Sequence, residues 1–389
     1  TDNLVIKGNN LIALHTIKEK FAGKVKLIYI DPPYNTESLK FAYNDKFDQA
    51  TWLTFMKNRL DVAKDFLRDD GAIFIHIDYK QLFNLKVLCD SIFKKENFIQ
   101  LISVKTSSPA GFKTFNAGPI DVTEYILFYT KNKKSFNFKK QYVKTKYDPN
   151  YKYFIENFEQ DSAKWVLKSI NDCIYEENGI IDDKEAKLKW GTHWKVIKEQ
   201  LIADFALKNK DKVASIRDPQ KPSEKVNQLM ILTKTDRNKV YSYQREDGSF
   251  GYIINGGALA FYGNKVRSID GKETPTELLT DFWSDLSWDG IAGEGGVKLK
   301  NGKKPEALLR RIIELGSEPN DIILDYHLGS GTTCAAAHKM RRQYIGIEQL
   351  DYDDNDSIER LKNVINNDLS GISKFVNWQS GGEFISIKL

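Results

Sequence analysis

The sequence has few of the residues that would point to a disulfide framework, a metal centre or a membrane protein. Its three cysteines, Cys89, Cys173 and Cys334, lie far apart and follow no spacing pattern. They argue against disulfides and a cysteine-rich metal site, and they are typical of a reducing compartment. No apolar run is long enough to cross a bilayer, and no signal peptide is visible. We therefore expect a cytoplasmic protein with no metal ion and no membrane partner.

The chain of 389 residues begins with Thr1 rather than Met, which leaves open whether residues precede it. Its length suits two domains or one elaborated domain. Apolar residues make up 41% of the chain, which is enough for a sizeable core. The formal net charge of +5 is a modest excess that is consistent with an acidic partner.

The first part of the chain alternates strand-like and helix-like segments. Buried strands are predicted in KVKLIYI, GAIFIHID and TEYILFYTK. An apolar period near 3.6 predicts helices in TWLTFMKNRLDVAKDFL and KQLFNLKVLCDSIF. This alternation is typical of a largely parallel sheet covered on both faces by helices.

The alternation stops after Lys131 and returns near Lys304. Between them the sequence predicts helices around 194–207 and 221–232 and a hairpin in VYSYQREDGSFGYIINGGALAFY. KPEALLRRIIELG then predicts a helix with a glycine stop. We expect one α/β domain in two parts, interrupted by a less regular insertion; the boundaries are 1–140, 141–280 and 281–389.

A carboxylate, two prolines and a tyrosine follow one predicted strand directly. In KLIYIDPPYNTES these residues are Asp31, Pro32, Pro33 and Tyr34. Prolines end the sheet ladder and stiffen the turn, so they fix the directions of Asp31 and Tyr34. One acceptor and one aromatic face on a rigid turn are suited to holding a flat ligand. The alternative interpretation is a turn with a purely structural role. The strand before the motif makes that interpretation less favoured.

A second motif, LDYHLGSGTT, reads as a strand, a glycine-rich turn and the start of a helix. Gly329 and Gly331 permit a tight turn and close backbone approach, and the helix start offers free N–H groups. Glu348 ends the next predicted strand, where a ribose could present its hydroxyls. The alternative to a nucleotide-binding turn is an ordinary βα turn. The sequence pattern of a phosphate-binding P-loop is absent from this motif. Because sites in open α/β sheets form at the carboxyl ends of strands, both motifs are predicted at one edge.

Together the motifs resemble those of amino-methylating DNA methyltransferases that use S-adenosylmethionine. DPPY corresponds to the catalytic motif of adenine methylators, and D-x-x-x-G-S-G-T-T to their cofactor motif. The catalytic motif comes first, which is the order of the β group. The sequence is closer still to the modification subunits of type III restriction-modification systems. Supporting stretches are LVIKGNNLIALHTI, TELLTDFWSDLSWDGIAGEGGVKL, GKKPEALLRRII, AHKMRRQYIGIEQ and VNWQSGGEF.

The resemblance implies a fold and a reaction. The fold is a Rossmann-like S-adenosylmethionine-dependent methyltransferase domain, interrupted by a target-recognition domain at 141–280. Asp31 would accept one hydrogen of the adenine N6 amine and the Pro32 carbonyl the other, aiming the lone pair at the methyl carbon. Tyr34 would stack on a base extruded from the duplex. No covalent enzyme intermediate and no metal are required.

The resemblance also implies a cofactor site. Glu348 would bind the ribose hydroxyls. Lys304 would mark the start of a helix that closes the other side of the cofactor pocket. The amino-terminal turn, which contains Asn9 and Asn10, would lie near the adenine ring of the cofactor. The implied residues are Asn9, Asn10, Lys304, Asp325, His327, Gly329, Ser330, Gly331, Thr332 and Glu348. Two positions depart from the family pattern: His327 replaces an aromatic residue, and Asn9 replaces an acidic one.

Lysines interleave with aromatic residues from 131 to 153. Such a stretch is more often a solvated surface, but beside a pocket for an extruded base it favours contacts to phosphates and bases. The predicted DNA-binding residues are Lys133, Lys134, Lys139, Lys140, Arg217, Arg245 and Arg267. The expected partner is double-stranded DNA; a homodimer and a separate restriction subunit are further partners that the resemblance implies.

Three other functions remain open at this point. A nicotinamide-dependent oxidoreductase would explain GSGTTC but not DPPY. A non-catalytic DNA-binding subunit would not need an intact DPPY. Cytosine-N4 methylation is a closer alternative, although those enzymes usually begin the motif with Ser. His76 and Asp78 could suggest a metal pair, but two ligands make a poor site, so we expect structural or pocket-wall roles.

Overall fold

The computed structural model describes residues 3–35, 47–109, 118–269, 271–298, 302–352 and 356–389. The strands are β1 Leu4–Lys7, β2 Val25–Ile30, β3 Leu67–Ile77, β4 Phe98–Lys105, β5 Thr123–Thr130, β6 Tyr142–Lys144, β7 Tyr153–Glu156, β8 Val166–Ser169, β9 Val213–Arg217, β10 Tyr241–Gln244, β11 Phe250–Ile254, β12 Gly257–Phe261, β13 Val266–Ile269, β14 Lys272–Leu278, β15 Phe282–Trp283, β16 Ile322–Asp325, β17 Gln343–Glu348 and β18 Ile385–Lys388. The helices are α1 Asn10–Phe21, α2 Gln49–Phe66, α3 Tyr79–Phe93, α4 Ile170–Asn178, α5 Asp183–Trp190, α6 Trp194–Lys208, α7 Glu224–Thr235, α8 Glu306–Gly316, α9 Thr332–Lys339 and α10 Ser357–Ile365.

The chain divides into two compact units. The first comprises Thr1–Gln141 and Thr280–Leu389, and the second comprises Tyr142–Leu279. Within the described residues, the first unit holds a nine-stranded sheet in the order β15-β4-β5-β3-β2-β16-β17-β1-β18. Of these strands only β5 runs antiparallel to its neighbours, β3 and β4. The α/β fold predicted from the alternation is confirmed, with one strand reversed.

The core of the first unit follows from the hydrophobic pattern. Every residue of β2 is buried, as expected for a strand covered on both faces. Along α2, Trp52, Met56 and Leu60 recur four residues apart and are fully buried, so one face of this helix packs on the sheet. The predicted strands KVKLIYI, GAIFIHID and TEYILFYTK correspond to β2, β3 and β5.

The second unit is built on antiparallel strands. Its larger sheet has the order β10-β11-β12-β9-β7-β8, and its smaller sheet the order β13-β14-β6. The predicted hairpin is instead a three-stranded meander, β10 to β12, because Asn255 and Gly256 form a second tight turn with positive φ. The helices predicted around 194–207 and 221–232 correspond to α6 and α7. Among all described residues, no helix is both long and apolar enough to span a membrane.

Candidate active site

The structure brings the two sequence motifs together at the carboxyl edge of the parallel strands. β2 and β16 are parallel neighbours, with Ile28 paired to Leu324. Asp31 follows β2 directly, and Asp325 is the last residue of β16. Because parallel strands end at the same edge of a sheet, the two carboxylates belong to one site.

Lys304 lies on the carboxylate of the DPPY motif. Its Nζ is 2.8 Å from Oδ2 of Asp31 and 3.6 Å from Oε2 of Glu124. Burial opposes the charge of this ammonium, but the nearby carboxylates of Asp31 and Glu124 outweigh burial, so the pKa of Lys304 is raised. The site therefore contains a permanent cation between two carboxylates. The structure places the ammonium on Asp31; the cofactor role expected for Lys304 stays a prediction.

The hydroxyl of Tyr34 lies between the same two carboxylates. It donates to Oδ1 of Asp31 at 2.7 Å and lies 3.1 Å from Oε2 of Glu124. Burial first, and then the charges of Asp31 and Glu124, raise the pKa of Tyr34 well above its usual value. Both oxygens of Asp31 are thus engaged, one by Lys304 and the other by Tyr34.

Behind Glu124 lie two buried side chains, His76 and Tyr29. His76 Nε2 is 2.8 Å from Oε2 of Glu124, and its Nδ1 is 3.1 Å from the Tyr29 hydroxyl. Burial disfavours the charge of Glu124, but Lys304 and then His76 more than offset it and lower its pKa. Glu124 is therefore ionised. His76 has the pocket-wall position expected for it, and Glu124 was not found by sequence reasoning.

The turn after β2 is fixed by contacts on its far side. Pro32 is buried, and the carbonyl of Pro33 accepts a 2.8 Å hydrogen bond from the indole N–H of Trp52. Oδ1 of Asn35 accepts from the Phe47 amide at 2.7 Å. These contacts anchor the turn that orients Asp31.

The glycine turn after β16 has the geometry that its sequence predicts. Gly329 and Gly331 have φ values of +55° and +82°, which favour glycine. The Gly329 amide donates to Oε2 of Glu348 at 2.7 Å. Nothing lies within 4 Å of where a Cβ on Gly329 would stand, whereas a Cβ on Gly331 would lie 2.9 Å from Cα of Ser357. Gly329 therefore borders open space, and Gly331 permits close packing.

Asp325 is buried beneath this turn. Its Oδ1 accepts from the His327 amide at 2.9 Å, and its Oδ2 accepts from the Thr333 hydroxyl at 2.5 Å. Burial raises the pKa of Asp325 to about 7, because these hydrogen bonds only partly offset the loss of solvation. Asp325 therefore stabilises the glycine turn through its hydrogen bonds with His327 and Thr333.

Two predicted cofactor residues direct their side chains into the protein. The hydroxyl of Thr332 accepts from Nη1 of Arg360 at 2.8 Å, and that of Ser330 lies 3.5 Å from the same nitrogen. Nη2 of Arg360 pairs with Oε1 of Glu306 at 2.8 Å, and all of these side chains are buried. The side chains of Ser330 and Thr332 therefore stabilise the turn from inside, and the cofactor-binding role expected for the two residues stays a prediction.

The amino-terminal turn joins the same edge. Asn9 caps α1, accepting from the Leu11 amide at 3.0 Å. The side-chain Nδ2 of Asn10 donates to the Tyr326 carbonyl at 2.8 Å. Burial, and then Arg59, lower the pKa of His327 to about 3, so this imidazole is neutral. Its Nε2 is buried and has no hydrogen-bond partner within the described part of the chain.

The structure does not bring the predicted DNA-binding lysines to this site. Thr130, at the end of β5, pairs with Ala72 near the start of β3, so residues after β5 lie at the amino edge of the parallel strands. There Lys133 Nζ donates to the Phe98 carbonyl at 3.2 Å, and Lys139 Nζ to the Ser317 carbonyl at 2.7 Å. The expectation that Lys133, Lys134, Lys139 and Lys140 lie beside the pocket is wrong, because β5 is antiparallel.

The three predicted arginines belong to the second unit, and each lies on an aromatic ring. The guanidinium carbons of Arg217, Arg245 and Arg267 are 4.7, 6.0 and 3.4 Å from the ring centres of Tyr151, Tyr243 and Tyr142. Arg217 also pairs with Asp148 at 3.3 Å, and Arg267 donates to the Thr276 hydroxyl at 2.9 Å. Arg245, in the turn after β10, is exposed. Their role in DNA binding stays a prediction.

The sequence profile of a family described as DNA methylase matches residues 25–352, a segment that contains both motifs. The chain belongs to this DNA methylase family. The chain is 39% identical over its whole length to a probable type III restriction-modification enzyme HindVI Mod subunit of Haemophilus influenzae. It is 27% identical, over 86% of its length, to the type III EcoPI Mod subunit of Escherichia phage P1. It spans about half of each relative, 54% and 55%.

A third relative is the type II methyltransferase M.EcaI of Enterobacter cloacae, 27% identical over 89% of this chain and 66% of the relative. Among the residues described, the chain has no group of three or more His, Cys, Asp or Glu side chains placed to hold a metal ion.

Proposed function

We propose that this chain transfers a methyl group from S-adenosylmethionine to the N6 amine of an adenine extruded from double-stranded DNA. It would act in the cytoplasm as the modification part of a restriction-modification system. The observation that carries the proposal is the Asp31 carboxyl group at the carboxyl edge, held by Lys304 at 2.8 Å and adjacent to the glycine turn of β16. Membership of the DNA methylase family and similarity to Mod subunits of type III restriction-modification enzymes support the proposal.

The chain's own residues would prepare the amine for attack. The lone pair of an exocyclic amine is delocalised into the base, and acceptors for its hydrogens make the nitrogen more nucleophilic and fix its direction. Asp31 is such an acceptor, and Lys304 orients it through a 2.8 Å contact with Oδ2. The hydroxyl of Tyr34 occupies Oδ1 of Asp31 at 2.7 Å, so Tyr34 has to leave this contact before the amine can bind. Its ring is then available to stack on the base.

The residues of the glycine turn fit S-adenosylmethionine, which supplies a methyl carbon bound to a positively charged sulfur. Gly329 borders open space, Glu348 is placed beside it to accept ribose hydroxyls, and neutral His327 adds no competing positive charge. We propose these three as the residues that face the cofactor, together with the backbone of Ser330 to Thr332. Asp325, Asn9 and Asn10 shape the turns around it.

The second unit, Tyr142–Leu279, is proposed as the target-recognition domain. Its exposed Arg245 is a candidate contact to DNA. A homodimer and a separate restriction subunit are further proposals, and they rest on the Mod relatives. Light scattering of the purified chain, alone and mixed with a type III restriction subunit, tests both.

The function is tested by incubating the chain with methyl-labelled S-adenosylmethionine and unmethylated bacterial DNA, followed by nucleoside analysis. Label in N6-methyladenine supports the proposal, and label in N4-methylcytosine would keep the cofactor but overturn the base. Calorimetry separates the methyltransferase from an oxidoreductase: S-adenosylmethionine should raise the melting temperature, and a nicotinamide cofactor should not.

A further inference from the structure

The hydroxyl of Tyr34 lies between two carboxyl groups and has one hydrogen to donate. Its oxygen is 2.7 Å from Oδ1 of Asp31 and 3.1 Å from Oε2 of Glu124. The hydrogen of a hydroxyl group rotates to suit its acceptor. Either carboxyl oxygen can therefore accept it while the ring of Tyr34 stays in place, and the shorter distance indicates that Asp31 accepts it in this structure.

Tyr34 competes with the target amine for Asp31. Oδ2 of Asp31 is engaged by Lys304 at 2.8 Å, and Oδ1 by Tyr34. A donor that is already on Oδ1 blocks one approach to this oxygen and draws on the charge that would attract the amine. The amine therefore binds best when the Tyr34 hydrogen has another acceptor.

We propose that Glu124 is a positioning residue: when the base enters, it accepts the Tyr34 hydrogen and so frees Oδ1 of Asp31 for the amine. The second hydrogen of the amine stays with the Pro32 carbonyl. The ring of Tyr34 need not leave its place to permit this exchange, so it remains available to stack on the base. This inference rests on the proposed function and adds a residue to the same site.

The surroundings of Glu124 suit an acceptor. Burial opposes its charge, but Lys304 and His76 more than offset burial and lower its pKa, so the carboxylate is ionised and only accepts hydrogen bonds. His76, fully buried, approaches the same Oε2 at 2.8 Å and is itself 3.1 Å from the Tyr29 hydroxyl. These contacts fix the direction of the carboxylate, as a preorganised acceptor requires.

A role through charge alone is the alternative for Glu124. Its Oε2 lies 3.6 Å from the Lys304 ammonium, and it balances that charge whether or not Tyr34 carries a hydroxyl. An acceptor for the Tyr34 hydrogen, by contrast, has no task once the hydroxyl is removed. The two roles are therefore separated by replacing Glu124 in the presence and in the absence of that hydroxyl.

The test measures single-turnover methylation of a duplex that carries a site mapped on methylated bacterial DNA. It compares the wild type, Glu124→Leu, Tyr34→Phe and the double variant. Leucine has no acceptor, so the Tyr34 hydrogen stays on Asp31, and we expect Glu124→Leu to lower the rate at least about tenfold, as for one hydrogen bond left unmade. The factor lost through Glu124→Leu should be at least about fivefold smaller in the Tyr34→Phe background.

Tyr129→Phe provides the matched background. Its hydroxyl also donates to a carboxylate, Oδ1 of Asp90 at 2.7 Å, but near the opposite end of β5 from Glu124. Glu124→Leu should lose the same factor in this background as in the wild type. Melting temperatures show that each variant is folded. If Glu124→Leu does not fold, Glu124→Gln replaces it; the amide is a weaker acceptor, and its smaller loss should also shrink in the Tyr34→Phe background.

A second readout reports directly on the amine contact. Affinity is measured for the same duplex with adenine or with unsubstituted purine, which lacks the amine, at the target position. Glu124→Leu should lower the adenine-to-purine affinity ratio, because Tyr34 keeps Oδ1 of Asp31. Adding Tyr34→Phe should raise the ratio again, which a merely damaged site would not do.

The outcomes decide the inference separately from the proposed function. Equal losses through Glu124→Leu in the wild-type and Tyr34→Phe backgrounds would overturn the inference while the proposed function stands. A rate for Glu124→Leu within about twofold of the wild type would do the same. No methyl transfer by the wild type would instead overturn the proposed function, and the inference with it.

Discussion

The ammonium of Lys304 lies 2.8 Å from Oδ2 of Asp31, although 273 positions separate the two residues in the chain. The contact connects the turn after β2 with the segment that leads into α8. It also places a permanent cation beside the carboxylate that we propose binds the amine. The DPPY motif therefore depends on a residue near the other end of the sequence for its charge and direction.

Replacing this lysine should slow catalysis more than it weakens cofactor binding. Lys304→Met leaves Asp31 and Glu124 without a cation, and we expect single-turnover methylation to fall at least tenfold. Lys303→Met is the matched neighbour, because the buried Lys303 donates to the carbonyls of Ala292, Glu294 and Val297 and, within the described part of the chain, to no carboxylate. Both variants should lose stability, but only Lys304→Met should lose rate at a temperature where both are folded. Equal rates in the two variants would contradict this account.

The two glycines of the turn should respond differently to alanine. Gly331→Ala meets both a left-handed backbone and Ser357 atoms at 2.9 Å, so we expect a loss of at least about 3 kcal/mol in unfolding free energy. Gly329→Ala meets only the backbone penalty, about 1 kcal/mol, yet its methyl group enters the space proposed for the cofactor. Urea unfolding and calorimetric titration with S-adenosylmethionine measure the two effects. Full cofactor affinity in a folded Gly329→Ala variant would place the cofactor elsewhere.

Asp325 should make the protein's stability depend on pH. Burial raises its pKa from 3.8 to about 7, so the folded state holds a proton that the unfolded chain releases near pH 4. Unfolding then releases a proton between these values, and this carboxyl's contribution to stability falls as pH rises from about 4 to 7. Asp325→Asn removes the titration, and its stability relative to wild type should rise over this range by up to about 4 kcal/mol. Urea unfolding at pH 5, 6, 7 and 8 measures the difference, and parallel curves for both proteins would contradict the prediction.

The lysines at the amino edge should not contribute to DNA binding. A double variant, Lys133→Ala with Lys134→Ala, should keep its affinity for duplex DNA within twofold and keep the same salt dependence. Arg245→Ala, in an exposed turn of the second unit, should lower the slope of affinity against salt by about one. Fluorescence anisotropy at several salt concentrations gives both values. A reduced slope in the lysine variant would show that the amino edge binds DNA after all.

The sequence alone predicts the two turns that form the site, because the residues of each strand and turn carry strong local patterns. A buried strand followed by DPPY, and a strand followed by a glycine turn, must end at one edge if the strands are parallel. The sequence did not predict that Glu124 lies in the site, because TEYILFYTK carries no signal for the direction in which this strand runs. β5 is antiparallel, so its first residues reach the edge of Asp31 and the lysines after it reach the opposite edge. One unpredicted strand direction explains both why the position of Glu124 was not predicted and why the lysines were misplaced.

Packing accounts for the other differences. The motif does not show that Arg360, thirty residues further along the chain, lies 3.5 Å from the Ser330 hydroxyl inside the protein. Such long-range pairs depend on how the helices pack, and no local pattern in the sequence specifies them. Lys304 is a similar case, since its distance from Asp31 along the chain hides their contact.

The most direct test of the central claim compares the wild type with Asp31→Ala. Both are incubated with methyl-labelled S-adenosylmethionine and unmethylated bacterial DNA, and the labelled nucleoside is identified. The account predicts N6-methyladenine from the wild type and at least about a hundredfold less from Asp31→Ala, while S-adenosylmethionine stabilises both proteins. Equal formation of N6-methyladenine by the variant would contradict it.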